Sequence, residues 1–315
     1  MNRKALILGI KTYRLTNAEK SLFKKSKPWG VILFSRNIKN ILQLKCLTDE
    51  IKKIFNDKNF PILIDEEGGK ISRLNKIINL SFFSQDFFGK LYIKDKKLLT
   101  VYYKIYINSV AAILKSVGIN INTVPVLDVR RKNAHNVIGT RSFSENQSHV
   151  SSIGNLCIKF YEKNKIATVF KHIPGHGSAK SDSHYKTPII KVNKKELTKK
   201  DFMPFKLCRS FFGMTAHVIY PVFDDKNVTT HSTIMIKEII RKHIKFKGIL
   251  ISDDISMKSL KYGLEKNALK ALNSGCNLVL HCNANIKEMS RLAKVVPRID
   301  KFTEKKTSHF YKFLR

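Results

Sequence analysis

The stretch GILISDDISMKSLKYGLEKNALKALNSGCNLVLHC, residues 248–282, sets two apolar runs on either side of one amphipathic segment. It opens on a near-continuous apolar run, Gly248–Asp253, that turns acidic at its end, and closes on a second such run, Asn277–Cys282. Between them, Tyr262–Ser274 repeats apolar residues at three- and four-residue spacing, the period of a helix with one buried face. Val/Ile/Leu runs without polar alternation belong to strands covered on both faces, the environment of a parallel sheet. Two such strands joined through a helix form a right-handed crossover unit.

The same run recurs at Ala5–Ile10, Gly30–Phe34, Pro61–Asp65, Asn122–Asp128, Ala167–His172 and Met214–Val218, eight runs in all. Helix-like spacing fills Ile38–Phe55, Lys94–Val117, Glu145–Asn164 and Thr233–Lys245. Eight alternating units in 315 residues fit a closed (β/α)8 barrel of the TIM type better than an open doubly wound sheet. No GxGxxG follows the first run, so the usual dinucleotide signature is missing. Without a Pro/Gly/Ser linker or an internal repeat, the expectation is one barrel domain over residues 1–315. The basic, aromatic tail at about 298–315 reads as a helix packed on the barrel.

Composition excludes some functions and leaves others open. With 43% apolar and 26% charged residues, the chain can bury a core and is not a disordered polyelectrolyte. Fifty-nine Lys and Arg against 24 Asp and Glu give +35, a field that attracts polyanions. Stretches such as KDKK (94–97) and NKK (193–195) nonetheless read as solvated faces, and no Arg-rich stripe with interleaved aromatics marks a specific nucleic-acid site. Cys46, Cys157, Cys208, Cys276 and Cys282 are odd in number and scattered, as reduced core residues would be. No run approaches the ~20 apolar residues that span a bilayer, and the short apolar run after MNRK lacks a cleavage site. A cytoplasmic monomer without membrane insertion is expected.

In a barrel the reactive face is built from loops after the carboxyl ends of the strands. Polar residues crowd those positions here: Asp65-Glu66-Glu67-Gly68-Gly69 and Arg73 after run three, Asp128 after run four with Arg141 in its loop, and Lys171-His172 at the end of run five. His176, Asp182 and His184 follow, with His217 at run six and Ser252-Asp253-Asp254 at run seven. Singly, Asp65, Asp253 or Asp254 could cap the next helix, and His217, His135 and His149 read as structural. Gly68-Gly69 suits a turn needing positive φ. Together the set allows three chemistries: a Schiff base on Lys171, a hydrolytic metal on His172, His176, Asp182 and His184, or a carboxylate nucleophile with a separate acid/base on a glycoside.

The order ILIDEEGGKISRL (62–74), VPVLDV (124–129), NVIGTRSFSE (136–145), KHIPGHGSAKSDSHYKTP (171–188), MTAHVIYP (214–221) and GILISDDISM (248–257) resembles glycoside hydrolase family 3, in its bacterial NagZ-type β-N-acetylglucosaminidase branch. The resemblance runs from about Gly30 to Asn283, and KHxPGHG followed by DSH is its most specific piece. It implies a retaining exo-β-N-acetylglucosaminidase that takes terminal GlcNAc from muropeptides in peptidoglycan recycling, with no metal and no organic cofactor. By the same resemblance Asp253 is the nucleophile and His184 the acid/base, supported by Asp182. Asp65, Arg73, Arg141, Lys171 and His172 are the sugar-binding positions. Lys70 and Thr140 depart from the family, which more often has Arg and an acidic residue there.

The residue types suit that chemistry. A retaining glycosidase needs an ionised carboxylate and a proton donor for the leaving oxygen, and an imidazole starts near pKa 6.5 without needing burial to raise it. Because His184 stands in a loop, the segment Gly175–His184 is expected to close over substrate. Three alternatives stay open: a phosphorylase using phosphate as acceptor, a β-glucosidase, and a basic polyanion-binding barrel without catalysis.

Overall fold

The computed structural model describes residues 2–132, 135–183 and 185–315. Eight parallel strands close in chain order into one barrel. They are β1 (Lys4–Gly9), β2 (Pro28–Leu33), β3 (Ile62–Ile64), β4 (Ile121–Asn122), β5 (Ala167–Ile173), β6 (Phe212–Thr215), β7 (Ile249–Asp254) and β8 (Leu278–His281). The barrel closes where Leu6, Ile7 and Leu8 of β1 pair with Val279, Leu280 and His281 of β8. Every residue of β2, β3, β5 and β6 is buried, which is why these strands read as unbroken apolar runs.

The fourth run corrects the sequence reading. Expected over Asn122–Asp128, its ladder covers only Ile121–Asn122, because the Val124 N–H turns back to the Asn122 carbonyl at 2.9 Å and Pro125 after it has no N–H to donate. The chain then rejoins its neighbour one side at a time: Lys171 N–H donates to the Pro125 carbonyl at 3.0 Å and Leu127 N–H to the Lys171 carbonyl at 2.7 Å. That contact carries Asp128 to the end of β5.

The helices keep to their expected places with three differences. The helix expected over Lys94–Val117 is Lys96–Ser116, and a second helix that the spacing did not reveal, Gln85–Lys94, precedes it. Asp95, extended at φ −157°, breaks them, and its side chain caps the second by accepting from the Lys97 and Leu98 N–H groups. Met235–His243 is wound as a π-helix, a form that an apolar period cannot distinguish from α. The helix after β7 is Leu264–Ser274, entered from Gly263 and ended by Gly275 at φ 117°. Neither Asp253 nor Asp254 therefore caps it.

The cysteines need one correction too. None is paired, and Cys157, Cys208 and Cys276 are buried, but Cys46 is exposed and Cys282 stands half-buried by the barrel mouth.

The last helix, Lys301–Leu314, packs on the strand starts, opposite the mouth. Phe310 is fully buried with its ring 5.4 Å from Phe212 and 6.5 Å from Trp29, and Trp29 Nε1–H donates to Thr307 Oγ1 at 2.9 Å. Removing the Phe310 ring would leave a cavity against β2 and β6. Phe310→Ala is expected to lose about 3–5 kcal/mol in urea unfolding, with site chemistry unchanged in the fraction that stays folded.

Candidate active site

The carboxyl ends of the strands surround a cavity lined by Asp65, Arg73, Arg141, Lys171, His172 and Asp253. Six sequence-chosen residues from four different strand ends and loops thus meet in one place. Phe34, Ile71, Met214 and Leu280 supply its apolar walls. A roomier cavity of about 580 Å³ opens by the strand starts, under Phe211, Phe246 and several lysines. Reactive groups in a barrel belong at the other end, so chemistry rather than size locates the site.

At its floor is a buried charge cluster. Lys171, 2% exposed, reaches from β5 and pairs with both Asp65 and Glu67, standing 2.6 Å from the latter. Arg141 grips Glu67 with two bonds, Nε and Nη2 each at 2.8 Å, and Arg73 Nη2 donates to Asp65 at 2.8 Å. Thr123 Oγ1–H donates to Asp65 as well, at 2.5 Å. Burial alone would raise the Asp65 carboxyl, but Lys171 and Arg73 outweigh it and hold the group far below the usual carboxylate range. Glu67 is lowered in the same way, against burial, by Arg141 and Lys171. Burial would lower Lys171, and its two carboxylates reverse that and raise it. A lysine held protonated has no lone pair for a carbonyl, so the Schiff-base reading of Lys171 fails on its surroundings. Nor does Asp65 cap a helix, as was open in the sequence.

The turn that delivers these groups is shaped by glycine. Gly68 and Gly69 sit at φ 79° and 59°, and a Cβ on Gly68 would meet the Phe83 carbonyl oxygen at 2.3 Å. Glu66, 1% exposed, ties the turn together by accepting from the N–H groups of Gly68, Arg73 and Leu74 and from Ser72 Oγ. Burial pushes its carboxyl up to about 7 despite those donors.

A second buried carboxylate orders the histidines. Asp128, fully buried, accepts from His176 N–H at 2.6 Å and stands 2.7 Å from His172 Nδ1. Burial raises it, and His172, then His176, bring it below the ordinary range. An ionised carboxylate only accepts, so Nδ1 of His172 carries the hydrogen and Nε2 is left for other partners. His176 is pushed down to about 4 by burial, and its Nε2 lies 3.3 Å from Ser183 Oγ.

Asp253, next to last in β7, has its side chain accepting from the Asp254 N–H at 2.7 Å. Burial pushes its carboxyl up, and His217, His172, that N–H and Lys171 more than offset it. Asp254 turns away to hold the Ser256 N–H and Oγ. His217 is a buried structural residue, bonded to Thr230 Oγ1 at 2.7 Å and to the Asp254 carbonyl at 3.0 Å.

The loop after β5 is tied down in its first half: Tyr220 O–H donates to the Gly175 carbonyl, Ser178 Oγ to Asp201 at 2.8 Å, and His135 N–H to the Ala179 carbonyl at 2.8 Å. Its second half brings Ser183 to the cavity wall. Asp182 is half-buried and engaged in a polar interaction, its carbonyl accepting from the Lys186 N–H at 3.0 Å. His184 lies outside the described residues. Of the site residues, Thr123 went unnoticed in the sequence, and Glu67 and Asp128 were placed at strand ends but given no role. The doubled Glu of DEEGG and the acid ending VPVLD were the signals available.

A closed parallel barrel whose mouth gathers carboxylates, cations and imidazoles from separate strands is a barrel enzyme. The chain belongs to glycosyl hydrolase family 3, with residues 3–308 matching the family's N terminal domain. The Beta-hexosaminidase of Neisseria meningitidis serogroup C (strain 053442) is 35% identical over 289 residues, covering 89% of this chain and 78% of that protein. The Beta-hexosaminidase of Idiomarina loihiensis is 32% identical over 282 residues, covering 88% and 83%. NagZ from Neisseria gonorrhoeae, solved in complex with N-trifluoroacetyl-D-glucosamine, superposes with a TM-score of 0.88 at 30% identity, over 100% of this chain and 91% of that one.

Asp65, Glu67 and Asp128 are all held low in the folded chain, so the unfolded chain binds protons more readily. The stability they contribute is complete above about pH 5 and drains as pH falls towards 3. Asp128→Asn is expected to cost about 2 kcal/mol at neutral pH and to flatten that acid limb, measured by urea unfolding from pH 7 to pH 3.

Proposed function

We propose that this glycoside hydrolase is a retaining exo-β-N-acetylhexosaminidase, and that Asp253 is its nucleophile. The observation that carries the reading is the position of Asp253: kept ionised in a cavity it shares with Asp65, Arg73, Arg141, Lys171 and His172. A carboxylate that attacks an anomeric carbon must be charged and partly desolvated, and both conditions hold there. Asp65 offers acceptors to neighbouring sugar hydroxyls, Arg73 and Lys171 fix where those acceptors stand, and Arg141, held by Glu67, lines the same cavity as a donor. His172, its tautomer set by Asp128, presents Nε2 towards the same space. His184 supplies the proton to the leaving oxygen and takes it back from water, with Asp182 as its partner. Because Gly175–Ala179 is anchored, the movement that brings this acid to substrate belongs to the residues after Ala179.

The sugar is N-acetylglucosamine and the natural substrate a GlcNAc-1,6-anhydroMurNAc-peptide of peptidoglycan recycling. The relatives named Beta-hexosaminidase and the NagZ solved with N-trifluoroacetyl-D-glucosamine support the sugar, and the muropeptide is what the resemblance to NagZ-type enzymes implies.

Asp253→Asn is expected to lower turnover by about 10³-fold or more, and a 2-fluoro glycosyl fluoride should label the parent on Asp253 alone. Labelling elsewhere, or near-normal activity of the variant, refutes the nucleophile. His184→Ala and Asp182→Asn should lose about 10²–10⁴-fold on poor leaving groups and far less on activated aryl glycosides. Equal losses on both would deny His184 the acid's role. A chromogenic β-GlcNAc glycoside should be cleaved well ahead of the β-glucoside, at a rate indifferent to phosphate. A phosphate-dependent rate would make the enzyme a phosphorylase.

A further inference from the structure

The helix Lys96–Ser116 is apolar on two opposite faces. Leu99, Tyr103, Ile107, Val110 and Leu114 are buried towards the barrel, as a helix of this fold requires. Leu98, Val101, Tyr102 and Ile105 recur at the same helical spacing on the outer side, where Val101, Tyr102 and Ile105 are 56%, 54% and 57% exposed. A surface helix ordinarily turns a polar face outward, and one that is apolar all round is ordinarily covered. Phe82 and Ile93, on the segment leading into this helix, are exposed as well, at 69% and 65%.

The charge beside the stripe is of one sign. Lys97, Lys104 and Lys115, spaced by seven and eleven residues, line up along one edge of it. Between Asp95 and Asp128 there is no acidic residue at all. An occupant must therefore bring apolar depth and negative charge together. A second copy of this chain would set the same lysines against each other, on molecules that each carry +35. An anionic lipid surface meets both requirements, because acyl chains take the stripe while headgroups meet the lysines. Among the described residues no helix is long and apolar enough to cross a membrane, so the contact is one of lying on the surface.

We propose that the outer face of Lys96–Ser116 docks this enzyme onto anionic membranes, through Val101, Tyr102 and Ile105 with Lys97 and Lys104 beside them. The inference stands apart from the sugar chemistry and does not depend on it. The helix joins β3 to β4 on the outer wall of the barrel, so docking sets that wall against the lipid surface.

The test is co-sedimentation with vesicles of phosphatidylcholine alone and of phosphatidylcholine with phosphatidylglycerol in equal parts. The parent should bind the mixed vesicles and release them as salt rises, leaving the neutral ones unbound. The charge-neutral variant Val101→Ser/Tyr102→Ser/Ile105→Ser should lose about tenfold or more in binding and keep the parent's rate on a soluble glycoside. Lys97→Glu and Lys104→Glu should each lose about fivefold. Tyr102→Trp should shift its emission to the blue on mixed vesicles only, against the buried Trp29 as background. Undiminished binding by the serine variant would mean that bulk positive charge alone is at work, and the proposal falls. Equal binding to neutral vesicles, no binding to either, or a dimer that dissolves in the serine variant would each overturn it too.

Discussion

The site depends on one buried lysine. Lys171 has almost no access to water, and a cation in that position is tolerated only because Asp65 and Glu67 both reach it. The same pairing works in reverse on the carboxylates, since each would be pushed towards its neutral form if the lysine were gone. Arg141 and Arg73 complete the balance from separate loops. The cluster therefore fixes β3, β5 and two loops relative to one another by charge, at the point where the ladder of the short strand β4 gives out.

That economy explains why so few strand hydrogen bonds are needed at the mouth. β3 and β4 share two paired positions, Leu63 with Ile121 and Ile64 with Asn122. Beyond them side chains take over: Asn122 accepts from the Glu66 N–H and donates to its carbonyl, and Thr123 bonds Asp65. Asp128 performs the same service for β5, holding His172 and His176 by their backbone N–H groups as well as by a ring nitrogen.

The barrel was legible because strands buried on both faces leave an apolar signature that does not depend on their neighbours, and Asp65, Lys171 and Asp253 were legible as polar residues ending such runs. What stayed hidden depends on partners far away in the chain. Glu67 is indistinguishable from Glu66 in DEEGG until Arg141, 74 residues on, is seen to take one and not the other. The Pro125 interruption of β4 shows only when the register with β5 is known. The π-winding of Met235–His243 follows from how that segment packs, and apolar spacing does not encode it.

Arg36 links the strap after β2 to the ends of β1 and β8, donating to the carbonyls of Ile10 and Cys282. At the opposite end Arg3 bonds Tyr311 and Trp29 bonds Thr307. The first thirty residues are thus finished only by the last forty. During synthesis one edge of β1 stays unpaired until Val279–His281 have been made about 270 residues later, an aggregation hazard of long-range parallel pairing.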